Sequence, residues 1–276
     1  MKPDVLLITA TFNSGKTPFT KLDDTRERTE KYMEGLLAWL ADPHFTRIVL
    51  ARNCTTPLDF AVLDEIGREF GKEIELLDCP GSDLVLRRGK GFGEGEIIRH
   101  ALTHSRLLRA SDSFYKITGK LYCPGLERYF APGNGTQFFL HPEIYSARWP
   151  RRLVRMLYRS ERIGCLLSWL RRRARVPFRW VVGGSVRWVD TRMYRVEKKF
   201  YERHLIASQR KVQDFCGHYL ENVFFDDLRH TPLRLETRHL PLVGTQGSLN
   251  IAPLDYPIEL KLRAREVAAR LLSPGR

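Results

Sequence analysis

Residues 5–12 read VLLITATF, an apolar, β-branched run without a charge. It is far shorter than the roughly 20 residues of a membrane span and has the composition of a buried strand. The pattern then alternates. Residues 25–40 repeat apolar side chains at helical spacing (Met33, Leu36, Leu37, Leu40), and Asp42-Pro43 closes that segment. Residues 47–51 form a second strand. Residues 57–70 form a second helix, with Phe60, Leu63 and Ile66 on one face and Gly71 at its end. Residues 74–77 form a third strand. Strand, helix, strand, helix, strand with short connections predicts an α/β fold: one domain whose central sheet is mainly parallel and covered by helices.

Further along, RGKGFGEGE at 88–96 reads as a glycine-rich turn running into a helix over 97–108. A strand interrupted by a turn follows at 114–121, and helices are predicted over 195–203, 214–228 and 260–272. No internal repeat and no low-complexity segment breaks the chain. With 276 residues, 43% apolar and 28% charged, it has the composition of a protein with a proper core. The five cysteines form no CxxC pair, which excludes a standard zinc knuckle and fits reduced thiols in a cytoplasmic setting. The amino terminus lacks the basic start and cleavage site of a signal peptide.

The formal net charge is +14. Nine arginines and one acid (Glu161) between Arg151 and Arg175 supply +8 of it. Leu153, Leu157, Ile163, Leu167 and Leu170, with Trp149, Trp169 and Trp180, accompany those arginines. Residues 149–180 therefore read as a basic amphipathic helical insert suited to an anionic membrane surface. No nucleic-acid-binding fold frames the charge, so nucleic acid is not an expected partner. A solvated charged insert packed on its own domain gives the same composition.

Glycines at 89, 91, 93 and 95 would let backbone amides approach a ligand, beside Arg88, Lys90 and a helix start. Glu94 and Glu96 would repel phosphate there and suit ribose or sugar hydroxyls better. The dinucleotide fingerprint GxGxxG fails on spacing and on its place after the third strand. A P-loop is approached by Ser14-Gly15-Lys16-Thr17, although Ala10 stands where its leading glycine belongs. That leaves a phosphotransferase or sulfotransferase using Lys16 and Thr17 as an alternative. A non-enzymatic basic protein of the membrane surface is another.

The run KGFGEGEIIRHALTHSRLLRASDSFYKITGKLY at 90–122 resembles the centre of bacterial GT-A-type glycosyltransferases of surface polysaccharide assembly. The resemblance implies a Rossmann-like domain with a nucleotide-sugar-binding half at 1–125 and an acceptor and catalytic half at 181–276. It places the nucleotide at the carboxyl ends of the first strands, with Thr9, Ala10 and Thr11 lining base or ribose. Lys90, Gly91, Gly93, Glu94 and Glu96 would complete the donor site. Where the family carries acids for Mg²⁺ or Mn²⁺, this chain has Lys116, Thr118 and Lys120, cations that would repel a metal and neutralise a departing phosphate themselves. No metal site is therefore expected, although Asp23-Asp24 and Asp226-Asp227 leave room for one. Glu221, with His218 expected one turn earlier on the same helix, is the candidate base or nucleophile. The implied activity is sugar transfer to a glycan, lipid-linked and presented at the inner face of the cell membrane.

Overall fold

The computed structural model describes residues 4–12, 24–53, 57–130, 135–141, 188–214, 218–244 and 255–273. The arginine segment and the P-loop-like Ser14, Gly15, Lys16 and Thr17 lie outside these residues.

Four parallel strands form most of the sheet: β1 (Val5–Ala10), β2 (Arg47–Arg52), β3 (Glu73–Asp78) and β4 (Ser113–Thr118). A fifth, β6 (Met193–Glu197), joins β4 antiparallel, giving the order β3-β2-β1-β4-β6. All six residues of β1 are buried, as a strand covered on both faces requires. A small second sheet pairs β5 (Leu121–Tyr122) with β7 (Val243–Gly244).

Helices cover both faces. On one side lie α1 (Thr25–Ala41), α2 (Phe60–Glu69) and the last helix, α8 (Ile258–Leu271), whose apolar residues share a core cluster with Leu6, Ile8 and Leu50. On the other side α4 (Lys90–His104), α5 (Arg106–Arg109), α6 (Lys198–His204) and α7 (Leu220–Leu228) pack on Val5, Leu7, Val49 and Phe114. A short helix α3 (Leu84–Arg88) precedes α4. Aspartates begin the first two helices: Asp24 accepts from the Glu27 amide at 2.7 Å and Asp59 from the Ala61 amide at 3.0 Å.

The mainly parallel sheet and the elements from β1 to β3 agree with the sequence expectation, the elements to within a few residues. Three later segments differ. The glycine stretch is not a turn: only Gly89, at φ +103°, breaks the helix, and Gly91, Gly93 and Gly95 lie within α4. The segment expected as a helix at 195–203 is divided, because Met193, Tyr194 and Val196 bury against β4 as a strand before α6 begins. The helix expected from 214 starts only at Leu220.

Candidate active site at the β1–β4 crevice

The strand order runs outward from β1 to β3 on one side and restarts with β4 on the other. Such a reversal opens a crevice at the carboxyl ends of the two central strands, where open α/β sheets take their ligands. In register, Thr9 of β1 faces Thr118 of β4 at that end. Both hydroxyls donate to Glu94 Oε1 from across the α4 side, at 3.2 and 3.3 Å.

Lys116 lies two residues before Thr118 and so on the same sheet face. It is fully buried and pairs with Glu94 Oε1. Its ammonium also donates to Thr118 Oγ1 at 3.2 Å and to the Thr191 carbonyl at 2.6 Å. An ammonium has three donors, and all three have protein acceptors. Burial alone would raise the Glu94 carboxyl. The charge of Lys116 and hydrogen bonds from Lys116 and Thr9 outweigh it and hold the group below its ordinary value.

Beyond Thr118 the chain turns, and Lys120 comes back under α1. It is only 4% exposed; its ammonium makes no hydrogen bond or ion pair to the described residues, while its carbonyl accepts the Tyr256 hydroxyl at 3.2 Å. Its Nζ sits over the Tyr32 ring, 5.6 Å from the centroid. Burial, then the charges of Arg28 and Lys90, push its ammonium down to about 8, against a smaller opposing effect of Glu27. Arg28 is itself buried and donates through Nε to the Thr11 carbonyl at 2.9 Å. Cations from α1, α4 and the β4 turn thus act on one another across the crevice.

Two further carboxylates lie within the electrostatic reach of Lys90 and Glu94. Asp214 is 2% exposed and accepts the Gly91 amide on Oδ2 at 3.0 Å, while Oδ1 has no partner among the described residues. Burial, reinforced by nearby Glu221 and Glu94, pushes its carboxyl up to about 7, against the Gly91 amide and Lys90. Glu221, in the first turn of α7, is half-buried. Burial raises its carboxyl too, opposed by its own amide, by Lys90 and by the Thr191 hydroxyl.

The structure therefore joins Thr9, Lys90, Glu94, Lys116, Thr118, Lys120 and Glu221 around one crevice. Thr11 flanks it, its hydroxyl on Asn53 Oδ1 at 2.7 Å, and the buried Ala10 accepts the Asn53 amide. Other expected residues need correction. The amides of Gly91 and Gly93 are not open to a ligand, since Asp214 takes the first and the Gly89 carbonyl the second. Glu96 is two residues, about 200°, around the helix from Glu94 and binds Arg99 and Gln209 instead. His218 precedes α7, and its ring Nδ1 meets the Lys211 carbonyl at 3.0 Å, so the helical spacing to Glu221 is not realised. Asp227 is engaged by Ser208 and Lys211.

Sequence reasoning missed Arg28, Asp214 and Thr191. A buried arginine or aspartate carries no local signature, and only the glycines at 89 and 91 hinted that a side chain must reach that helix start. For a divalent ion the donor set at the end of β4 is unsuitable, being two ammonium groups and a hydroxyl. Among the described residues no group of three or more His, Cys, Asp or Glu is placed to hold one.

No family model and no curated protein sequence matches the chain. Among solved structures it is similar to the 4-diphosphocytidyl-2C-methyl-D-erythritol synthase of Anaerococcus prevotii, with 11% identity, a TM-score of 0.44 and 97% of each chain covered. It is also similar to a protein of Bacillus anthracis described as a glucose-1-phosphate thymidylyltransferase, with 12% identity, a TM-score of 0.45 and coverage of 99% and 97%. Mouse xyloside xylosyltransferase 1 matches with 12% identity, a TM-score of 0.36 and coverage of 85% and 84%. Likenesses this remote say nothing about the reaction of this chain.

Proposed function

We propose that this chain is a glycosyltransferase that takes a sugar from a nucleotide-sugar donor bound at the β1–β4 crevice. The observation that carries the reading is Lys120, a buried ammonium with no hydrogen bond or ion pair to the described residues, flanked by Arg28 and Lys90. A buried charge is costly unless paired, and the cluster is suited to a ligand with more than one negative charge. The diphosphate of a nucleotide sugar has that charge and leaves as an anion.

The three cations would neutralise the diphosphate oxygens as the bond to the anomeric carbon breaks and its electron pair moves to phosphate. Transfer would then proceed without a divalent ion. Glu221 is the carboxylate of the chemical step. In an inverting transfer it takes the acceptor hydroxyl proton as that oxygen attacks; in a retaining one it is the nucleophile. A carboxyl raised by burial is suited to the first task near neutral pH. The acceptor is a glycan, lipid-linked and held at an anionic membrane face by residues 149–180.

A thermal-shift panel of UDP-, GDP-, CMP- and dTDP-sugars, each with and without Mn²⁺, tests the reading. One nucleotide class should stabilise the protein in EDTA, by about 2.7 kcal/mol at a hundred times its dissociation constant. Lys120→Gln should abolish that stabilisation. Glu221→Gln should retain it and lower turnover by roughly 10² to 10⁴. Wild-type protein indifferent to every donor would defeat the assignment, and stabilisation strictly requiring Mn²⁺ would defeat metal independence.

A further inference from the structure

Lys116 is expected from the sequence to meet the donor phosphates, yet it has nothing left to offer a ligand. Its three donors end on Glu94, Thr118 and the Thr191 carbonyl, and none of its surface meets solvent. Glu94 is built the other way. Oε1 receives Lys116, Thr9 and Thr118 together, whereas Oε2 takes no hydrogen bond from the described residues. A quarter of the Glu94 side chain remains exposed. One oxygen is thus fixed by three donors from two strands, and the other is offered to the crevice.

A carboxylate oxygen held in that way has one chemical preference. It repels phosphate and accepts O–H donors, and a charged acceptor makes stronger hydrogen bonds than a neutral one. Around Tyr32 the crevice thus offers a ligand the charged acceptor Glu94 beside Lys120 and Arg28, the cations proposed for phosphate. Held only by neutral neighbours, a carboxyl as buried as Glu94 would tend to take up a proton and lose the preference. Lys116 prevents this, consistent with the lowered Glu94 carboxyl.

We propose that Glu94 reads a ring hydroxyl of the donor through its outer oxygen, and that Lys116 is the positioning residue that fixes this carboxylate and keeps it ionised. The inference rests on the donor reading above. The hydroxyl belongs either to the ribose or to the transferred sugar, and the two sources give different results in one experiment.

Calorimetric binding of UDP, 2′-deoxy-UDP and UDP-glucose, or the same series of whichever nucleotide stabilises the wild type, is compared between wild type and Glu94→Gln. Loss of a hydrogen bond to a charged group corresponds to a weakening of about 10- to 100-fold. If the hydroxyl is on ribose, wild type prefers UDP over 2′-deoxy-UDP and the variant loses that preference. If it is on the sugar, the variant weakens UDP-glucose by that factor and leaves UDP unchanged. Glu94→Asp, which keeps the charge and withdraws the carboxylate by one methylene, should weaken the same probe if the Gln variant does not fold. Equal binding of all three probes by folded variants and wild type overturns the assignment.

The role of Lys116 is read without any ligand. Carbon-13 NMR of labelled glutamate should show Glu94 titrating at higher pH in Lys116→Met than in wild type, with a smaller rise in the milder Thr9→Val. An unchanged Glu94 midpoint in both variants overturns the positioning role. Failure of every nucleotide to bind wild type overturns the donor reading and the hydroxyl assignment with it, and the titration still decides the part played by Lys116.

Discussion

Lys120 carries an electrostatic cost within the site, and its sign is open to measurement. In the unfolded chain a lysine titrates near 10.5; in the fold, burial and the neighbouring Arg28 and Lys90 bring it to about 8. Between those two values the unfolded chain binds more protons than the folded one, so stability rises with pH across that window. Below about pH 8 the penalty is present in full. At about 1.4 kcal/mol per unit of displacement it is on the order of 3 kcal/mol. We therefore expect Lys120→Met to stabilise the ligand-free protein at pH 7 and to remove the rise in stability between about pH 8 and 10.5, as followed by urea unfolding. Nucleotide affinity should move oppositely. A bound diphosphate restores the proton, so wild-type affinity falls as pH passes about 8. A Lys120→Met protein no more stable than wild type at pH 7 would mean that a partner outside the described residues already neutralises this ammonium.

At the scale of elements, α4 shows what kind of information a sequence withholds. Gly91, Gly93 and Gly95 are each poor helix formers by about 1 kcal/mol relative to alanine, and together they read as a turn. Two of them, Gly91 and Gly95, are glycine within a helix because other side chains occupy the space a Cβ would need. A Cβ at Gly95 would lie 2.3 Å from the Gln209 Cβ, and one at Gly91 would lie 3.0 Å from Asp214 Oδ1. Those partners come more than a hundred residues later, beyond any local pattern. Gly93 differs, since its Cβ would lie 3.1 and 3.4 Å from the two Val85 methyls and 3.6 Å from Asn53 Nδ2, all ends of side chains. Gly95→Ala should therefore cost about 1–3 kcal/mol by overpacking, measured by denaturant unfolding, despite its gain in propensity. Gly93→Ala should be neutral or stabilising, because Val85 can turn aside. Equal effects at the two positions would refute this packing account. Elements from β1 to β3 were legible because each owes its form to its own apolar pattern. Lys120, Glu94 and Glu221 were legible as charges near the ends of such elements. Arg28, Asp214 and the inward saturation of Lys116 were not, because each depends on which distant segments the fold brings together.

Over the whole molecule, we propose that charge is divided between two tasks. The crevice places its cations singly and mostly buried, whereas residues 149–180 concentrate arginine among leucines and tryptophans. No helix among the described residues is long and apolar enough to cross a membrane; the attachment proposed for residues 149–180 is by charge and shallow insertion. Each basic residue near an anionic surface contributes about 1 kcal/mol, and the attraction fades within a Debye length. Removing three charges should then weaken binding to anionic vesicles on the order of 10²-fold at physiological salt. Arg171, Arg172 and Arg173 are adjacent in the sequence and lie in the arginine segment, outside the residues of the proposed donor site. Replacing all three with Ser should release the protein from phosphatidylserine vesicles and leave turnover on a soluble acceptor analogue unchanged. Binding of the wild type should weaken steeply between low and high salt, and the variant should show a shallower dependence. If the triple variant binds vesicles as the wild type does, the segment does not serve membrane attachment. If instead the variant stays off vesicles but loses turnover on the soluble acceptor, the arginines act within the catalytic domain, and the separation of charge into two tasks is wrong.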